Sequence, residues 1–274
     1  MSNVQTVELG PEVELTVAVT RAATGARPRV VLLPSANRSA ADFEALARAL
    51  AQAGYGSVAV NPRGVAGSTG PTEGLTMEDL AGDVAGVVAQ LVDGPAHVVG
   101  HALGNTIARA TATYRPEVVR SLALLACGGH DLGRHPPAPE VMAAFGRCHD
   151  PDLDPAERLT ALQTVFFAAG NDPSEWLDGW WPGGQAVSAA LGRSDWREWW
   201  RGGDRPVLIF QPTEDAMAPV AVGRELAAEL AQRARYVEVP HCGHAILPER
   251  PEVVERVVVS FLAEVDATPD QLTR

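Results

Sequence analysis

The sequence predicts an α/β architecture: a mostly parallel sheet covered by helices on both faces and interrupted once by a long insertion. Three observations carry that expectation. Short apolar runs alternate with amphipathic stretches of helical period along most of the chain. The 274 residues, 46% hydrophobic and 20% charged, are ordinary globular composition. That length suits one core of about 200 to 250 residues plus an insertion. Finally, the alternation breaks at Gly128 and resumes at Pro206.

Residues 13–21 alternate like an early, half-exposed strand, and residues 29–33 form a buried-strand run that stops at Pro34. Ser39, with Asp42 three positions on, has the form of a capping box opening a helix. Phe43, Leu46 and Leu50 mark that helix's buried face, and Gly54 ends it. Residues 57–60 are the next strand, followed by the turn Asn61-Pro62-Arg63-Gly64. Thr76 and Asp79 repeat the capping box ahead of a stripe at Leu80, Val84, Val87, Val88 and Leu91, and Gly94-Pro95 stops the helix. A strand at 97–99, a helix at 104–114 and a strand at 121–126 follow.

Residues 130–203 are rich in Pro, Gly and Asp, contain all six tryptophans, and are expected to be irregular. The rhythm returns with a strand at 206–210, a helix at 219–232, a strand at 236–239 and a helix at 251–265. The expected organisation is a core of residues 1–129 and 204–274 carrying a tryptophan-loaded lid or cap at 130–203.

Composition excludes several chemistries. All 22 basic residues are arginine, so no mechanism that needs a lysine amine is open, whether Schiff base, pyridoxal, P-loop or kinase. A net charge of −12 argues against nucleic-acid and anionic-membrane surfaces. The histidines show no metal-type spacing and no Gly-x-Gly-x-x-Gly opens a helix, so neither a metal nor another cofactor is expected. The first ten residues lack the basic-then-apolar pattern of a secretory signal. The three cysteines, Cys127, Cys148 and Cys242, form no even framework, which fits reduced thiols in a cytoplasm.

The chemistry-bearing segment is Gly100-His101-Ala102-Leu103-Gly104. A strand, Gly-x-x-x-Gly and a helix frame a strained turn whose middle side chain projects above the sheet. Serine is the residue such a turn presents as a nucleophile, and here the position holds Ala102. Downstream, Gln211-Pro212-Thr213-Glu214-Asp215 follows one strand and Pro240-His241-Cys242-Gly243-His244 follows another. The order nucleophile position, acid, histidine runs along the chain.

On these motifs, over roughly residues 10 to 265, the chain resembles the α/β-hydrolase superfamily. The loop Leu33-Pro34-Ser35-Ala36-Asn37 and the turn at Asn61 also match, although Pro34-Ser35 stands where His-Gly is usual. The elbow segment with Asn105 resembles a bacterial subgroup that reads Gly-His-Ala-x-Gly-Asn. The resemblance implies that Asp215 orients His244 as general base, with Glu214 in reserve, and that the backbone N–H groups of Ala36 and Leu103 form the oxyanion site. Ser35, Asn37, His101, Trp176, Trp180 and Trp181 are the candidate substrate-site residues. Ser35 is either a displaced nucleophile or a turn serine bonded to its own backbone. Asn37 is either an amide donor to substrate or a turn former, and Cys242 reads as a buried, inert thiol.

Losing the triad serine costs on the order of 10⁶ in turnover. The alanine therefore has three readings: an introduced substitution that traps ligand, a natural divergence in which His244–Asp215 acts on water or a substrate proton, or a pocket kept for binding alone. The leading expectation is an enzyme acting on a small apolar ester, lactone or related acyl substrate. The alternatives are a lyase, isomerase or cofactor-independent oxygenase, and a non-catalytic ligand receptor. The expected partner is a small hydrophobic molecule, with neither nucleic acid nor membrane, and a homodimer stays open.

Overall fold

The apolar runs become neighbouring strands in a computed structural model that describes residues 2–24, 29–128, 134–148, 150 and 152–268. In chain order the elements are β1 (Asn3–Glu8), β2 (Glu14–Thr20), β3 (Val30–Leu33), α1 (Glu44–Gln52), β4 (Ser57–Val60), α2 (Met77–Leu91), β5 (Ala96–His101), α3 (Leu103–Tyr114) and β6 (Val119–Leu125). Then come α4 (Pro139–Cys148), α5 (Pro155–Val165), α6 (Gln185–Ala189), α7 (Trp196–Trp199), β7 (Val207–Pro212), α8 (Val220–Leu230), β8 (Ala234–Val239), α9 (Ile246–Glu249) and α10 (Pro251–Ala267).

One eight-stranded sheet has the order β1-β2-β4-β3-β5-β6-β7-β8. The pairs β1–β2 and β2–β4 are antiparallel, and every other pair is parallel. Parallel strands need crossovers, and the crossover helices cover both faces, so β3, β5 and β7 are buried at every position. Val31, Leu33, Val98 and Leu124 face one hydrophobic cluster with α2 and α3. Leu32, Val99, Leu125 and Phe210 face the other with α1 and α10. Burying one such side chain contributes roughly 1.5–3 kcal/mol.

β3 lies between β4 and β5, so the chain leaves it toward both edges of the sheet. At such a switch point the carboxyl ends of neighbouring strands diverge into a crevice. The loop after Leu33 and the turn after His101 both open there, with Leu33 in register with Gly100.

Two local features differ from the sequence reading. β1 has one fully buried apolar position, Val7, beside exposed Val4, too weak a pattern to mark a strand. Ser39 caps nothing with its hydroxyl; Asp42 instead takes both Nε and Nη2 of Arg38, at 2.9 and 2.7 Å. At Thr76 the capping box forms, with hydrogen bonds in both directions to Asp79.

The β6–β7 segment is helical rather than irregular. Pro139 and Pro155 open α4 and α5, where a missing N–H costs nothing, and Asp154 accepts from Ala156 and Glu157. The Pro, Gly and Asp that resemble loop chemistry are the punctuation between short helices. The expected boundary at 129/130 lies outside the described residues. This segment builds a third hydrophobic cluster around Leu162, Phe166 and Trp176. Cys127, Cys242 and Cys148 are each fully buried, one in each of the three clusters. Among the described residues, no helix is long and apolar enough to cross a membrane.

Candidate active site

β5 ends in a sharp turn at Ala102, with φ 51° and ψ −112°, and α3 begins at the next residue. The Ala102 N–H donates to Leu125 O at 3.0 Å, and Asn105 N–H donates back to Ala102 O at 3.0 Å. The flanking glycines are steric necessities. A Cβ on Gly100 would lie 2.2 Å from Gly104 O, and one on Gly104 would lie 2.0 Å from Leu33 O. Leu103 is the first residue of α3, so its N–H has no helical acceptor.

Asp215 follows β7, and its Oδ1 accepts from the N–H groups of Met217 and Ala218, at 2.9 and 2.7 Å. Its side chain is fully buried, and His244 Nδ1 lies 2.9 Å from Oδ2 and 3.0 Å from Oδ1. A carboxylate only accepts, so Nδ1 carries the proton and Nε2 is the basic nitrogen left to the cavity that His244 lines. Glu214 points elsewhere: its carboxylate lies 3.3 Å from exposed His241.

The backbone on both sides of His244 is held. Gly243 N–H donates to Glu249 Oε1 at 2.9 Å, and Ala245 N–H donates to Phe166 O at 2.8 Å. His101 Nε2 lies 2.8 Å from the His244 carbonyl. His101 is fully buried, and burial, reinforced by the neighbouring His244, pushes its pKa down to about 3.

A cavity of about 410 Å³ opens between this face of the sheet and the β6–β7 segment. Ala102, Leu103, Ser35, Ala36 and His244 form its floor, and Phe145, Phe166, Leu191, Trp196, Trp199 and Met217 its walls. No Asp, Glu or Arg lines it among the described residues.

The sequence candidates divide around this cavity. Ser35 and Ala36 line it with Leu103 and Ala102. Ser35 closes its turn with its carbonyl, which accepts from Arg38 N–H at 3.1 Å. Asn37 sits behind, buried at φ 59°, with its carbonyl accepting Trp181 N–H at 2.8 Å. His101 lies under His244, ring to ring at 5.4 Å, rather than in the lining. Trp176 and Trp180 enclose the Arg38 guanidinium at 4.7 and 5.0 Å, while Trp181 is 39% exposed.

Phe145, Phe166, Thr106 and Met217 are lining residues that sequence reasoning missed, and Trp196 and Trp199, expected only as part of the tryptophan-loaded lid, line the cavity with them. Trp196, Trp199 and Trp200 recur at helical spacing, but so do Trp176 and Trp180, and spacing alone does not single out the lining pair. Among the described residues, no group of three His, Cys, Asp or Glu side chains is arranged to hold a metal.

A doubly covered parallel sheet with a Gly-framed elbow at its switch point defines a class of α/β enzymes whose site lies at the strand ends. The chain belongs to the alpha/beta hydrolase family, which it matches over residues 30–257. A Mycobacterium tuberculosis protein named "Putative non-heme bromoperoxidase BpoC" is 30% identical over 228 residues, covering 78% of this chain and 86% of the relative. The 2-(acetamidomethylene)succinate hydrolase of Mesorhizobium japonicum is 26% identical, covering 87% and 89%. Among solved structures, the enol-lactonase of Burkholderia xenovorans LB400 superposes with a TM-score of 0.74 at 24% identity, over 92% of this chain and all of that one. The relatives are enzymes of this family.

Proposed function

We propose that this chain hydrolyses a small, neutral, apolar acyl compound, an ester or lactone, with His244 and Asp215 activating water rather than a serine. The observation that carries the reading is the pairing of a buried Asp215–His244 couple at 2.9 Å with an intact elbow that presents a methyl group. His244 Nε2 takes a proton from water as its oxygen attacks the acyl carbon, and Asp215 stabilises the imidazolium. The N–H groups of Ala36 and Leu103 receive the developing oxyanion, and Leu103 adds the positive end of α3. His244 then returns the proton to the leaving alkoxide. No acyl–enzyme bond forms at position 102.

The β6–β7 segment serves as the cap, its Trp196 and Trp199 supplying apolar walls. A single-turnover experiment with p-nitrophenyl butyrate in H₂¹⁸O tests the mechanism. Label is expected in butyrate, with no acyl adduct on the intact protein by mass spectrometry and no turnover by His244→Ala. An acyl adduct, or an unchanged rate in His244→Ala, overturns it. The methyl at the elbow also favours a second reading, a receptor that binds such compounds without converting them. Quantitative recovery of intact ester from the wild-type protein supports that reading.

A further inference from the structure

We infer that Glu249 is a positioning residue that seats His244 against the β6–β7 segment, so that the histidine and the cavity wall move as one unit. The inference rests on the reading of His244 as the base. Glu249 closes the short helix α9, five residues beyond His244, and its carboxylate is directed back into the protein, where it is 9% exposed. Its Oε1 accepts Gly243 N–H at 2.9 Å, and its Oε2 accepts Ala168 N–H at 2.9 Å together with the Asn171 side-chain amide. One carboxylate thus joins three stretches of chain: its own helix, the residue before His244, and the segment that follows α5.

Steric fit closes the same junction. A Cβ on Gly243 would lie 2.6 Å from Phe166 O and 2.7 Å from Ala168 N, so the histidine loop lies directly on residues 166–168. On the far side of His244, Ala245 N–H donates to Phe166 O at 2.8 Å, and the Phe166 ring lies 5.7 Å from the imidazole. Phe166 also lines the cavity. A displacement of that wall therefore drags Gly243 and Ala245, and His244 with them, away from Asp215.

A charged acceptor suits three N–H donors, because an ionised carboxylate offers only lone pairs. Glutamine in its place turns an NH₂ toward one of the donors. A buried carboxylate that served the general fold alone would leave the His244–Asp215 bond indifferent to that change.

The test is the Nδ1–H proton resonance of His244 in ¹H NMR, assigned by its loss in His244→Asn, and it needs no substrate. In Glu249→Gln the resonance is expected to shift and to exchange with water roughly tenfold faster or more, as a loosened hydrogen bond does. In Asn171→Ala, which removes the amide that donates to Glu249 Oε2 and to the His241 carbonyl of the same loop and keeps the carboxylate, the same change is expected on a smaller scale. If Glu249→Gln fails to fold, Asn171→Ala decides the matter alone. A resonance unchanged in position and exchange in the folded variants overturns the positioning role. A wild-type protein without the resonance overturns instead the His244–Asp215 reading on which the role rests.

Discussion

His101 donates its Nε2–H to the backbone carbonyl of His244 at 2.8 Å, so the residue before the elbow apex supports the loop that carries the base. The carbonyl only accepts, which fixes the tautomer, and the buried Nδ1 has no hydrogen-bond partner among the described residues. Burial holds this ring neutral down to about 3, against an ordinary value of 6.5. The unfolded chain therefore binds a proton that the folded chain refuses. Stability from this group is complete above pH 6.5 and is lost as pH falls from there through about 3. The expected slope is about 1.4 kcal/mol per pH unit. Urea midpoints measured from pH 7 to pH 4.5 check it, and His101→Gln is expected to remove that share of the slope while leaving the share of buried His97, whose pKa burial lowers to about 4.

Ala102→Ser places an oxygen at the apex of an elbow that is already formed. Wild-type protein is expected to resist serine-directed fluorophosphonates, and the variant to label stoichiometrically and to cleave p-nitrophenyl butyrate through an acyl intermediate. Labelling of the unmodified protein would identify another nucleophile, with Ser35 in the same cavity the first to map by peptide mass spectrometry.

The two kinds of glycine in the chain separate cleanly by mutation. Gly104→Ala drives a methyl group into Leu33 O and is expected to cost roughly 3 kcal/mol or more. Gly82, inside α2 with open space around it, is expected to gain up to about 1 kcal/mol as alanine. Paired urea titrations of the two variants give the comparison directly, and similar losses in both would contradict the close approach of α3 to β3.

A cavity without Asp, Glu or Arg in its described lining offers nothing to an anionic acyl chain. For equal leaving groups, kcat/KM for a neutral butyrate ester is expected to exceed that for a hemisuccinate ester by roughly 100-fold or more, the cost of desolvating an unpaired carboxylate. Comparable values for the two would place a cation at the site.

The core was legible because its signals are local. Uninterrupted apolar runs mark β3 and β7, the Thr76–Asp79 box opens α2, and the Gly-framed elbow at Ala102 marks both the end of β5 and the switch point. Ser39 misled because its apparent partner, Asp42, is held by Arg38, four residues before it, and the loop's geometry follows that ion pair rather than a hydroxyl cap. The β6–β7 segment misled because its short helices are stabilised by what they pack on. Nothing local in Phe145 or Phe166 says that they meet over Ala102, and nothing near Trp176 says that it lies on Arg38. Those contacts join residues far apart in the chain, which periodicity does not register.

The distribution of the three thiols makes the protein its own reporter of partial unfolding. Each is raised in pKa by burial and so is nearly inert while its surroundings stay closed. Cys127 belongs to the α2–α3 side of the sheet, Cys242 to the α1–α10 side beside His244, and Cys148 to the cluster formed by the β6–β7 segment. A disulfide reagent followed by peptide mapping thus times the opening of three separate bodies within one chain, without a label being introduced. The sequence in which the cysteines react is the order in which the molecule comes apart.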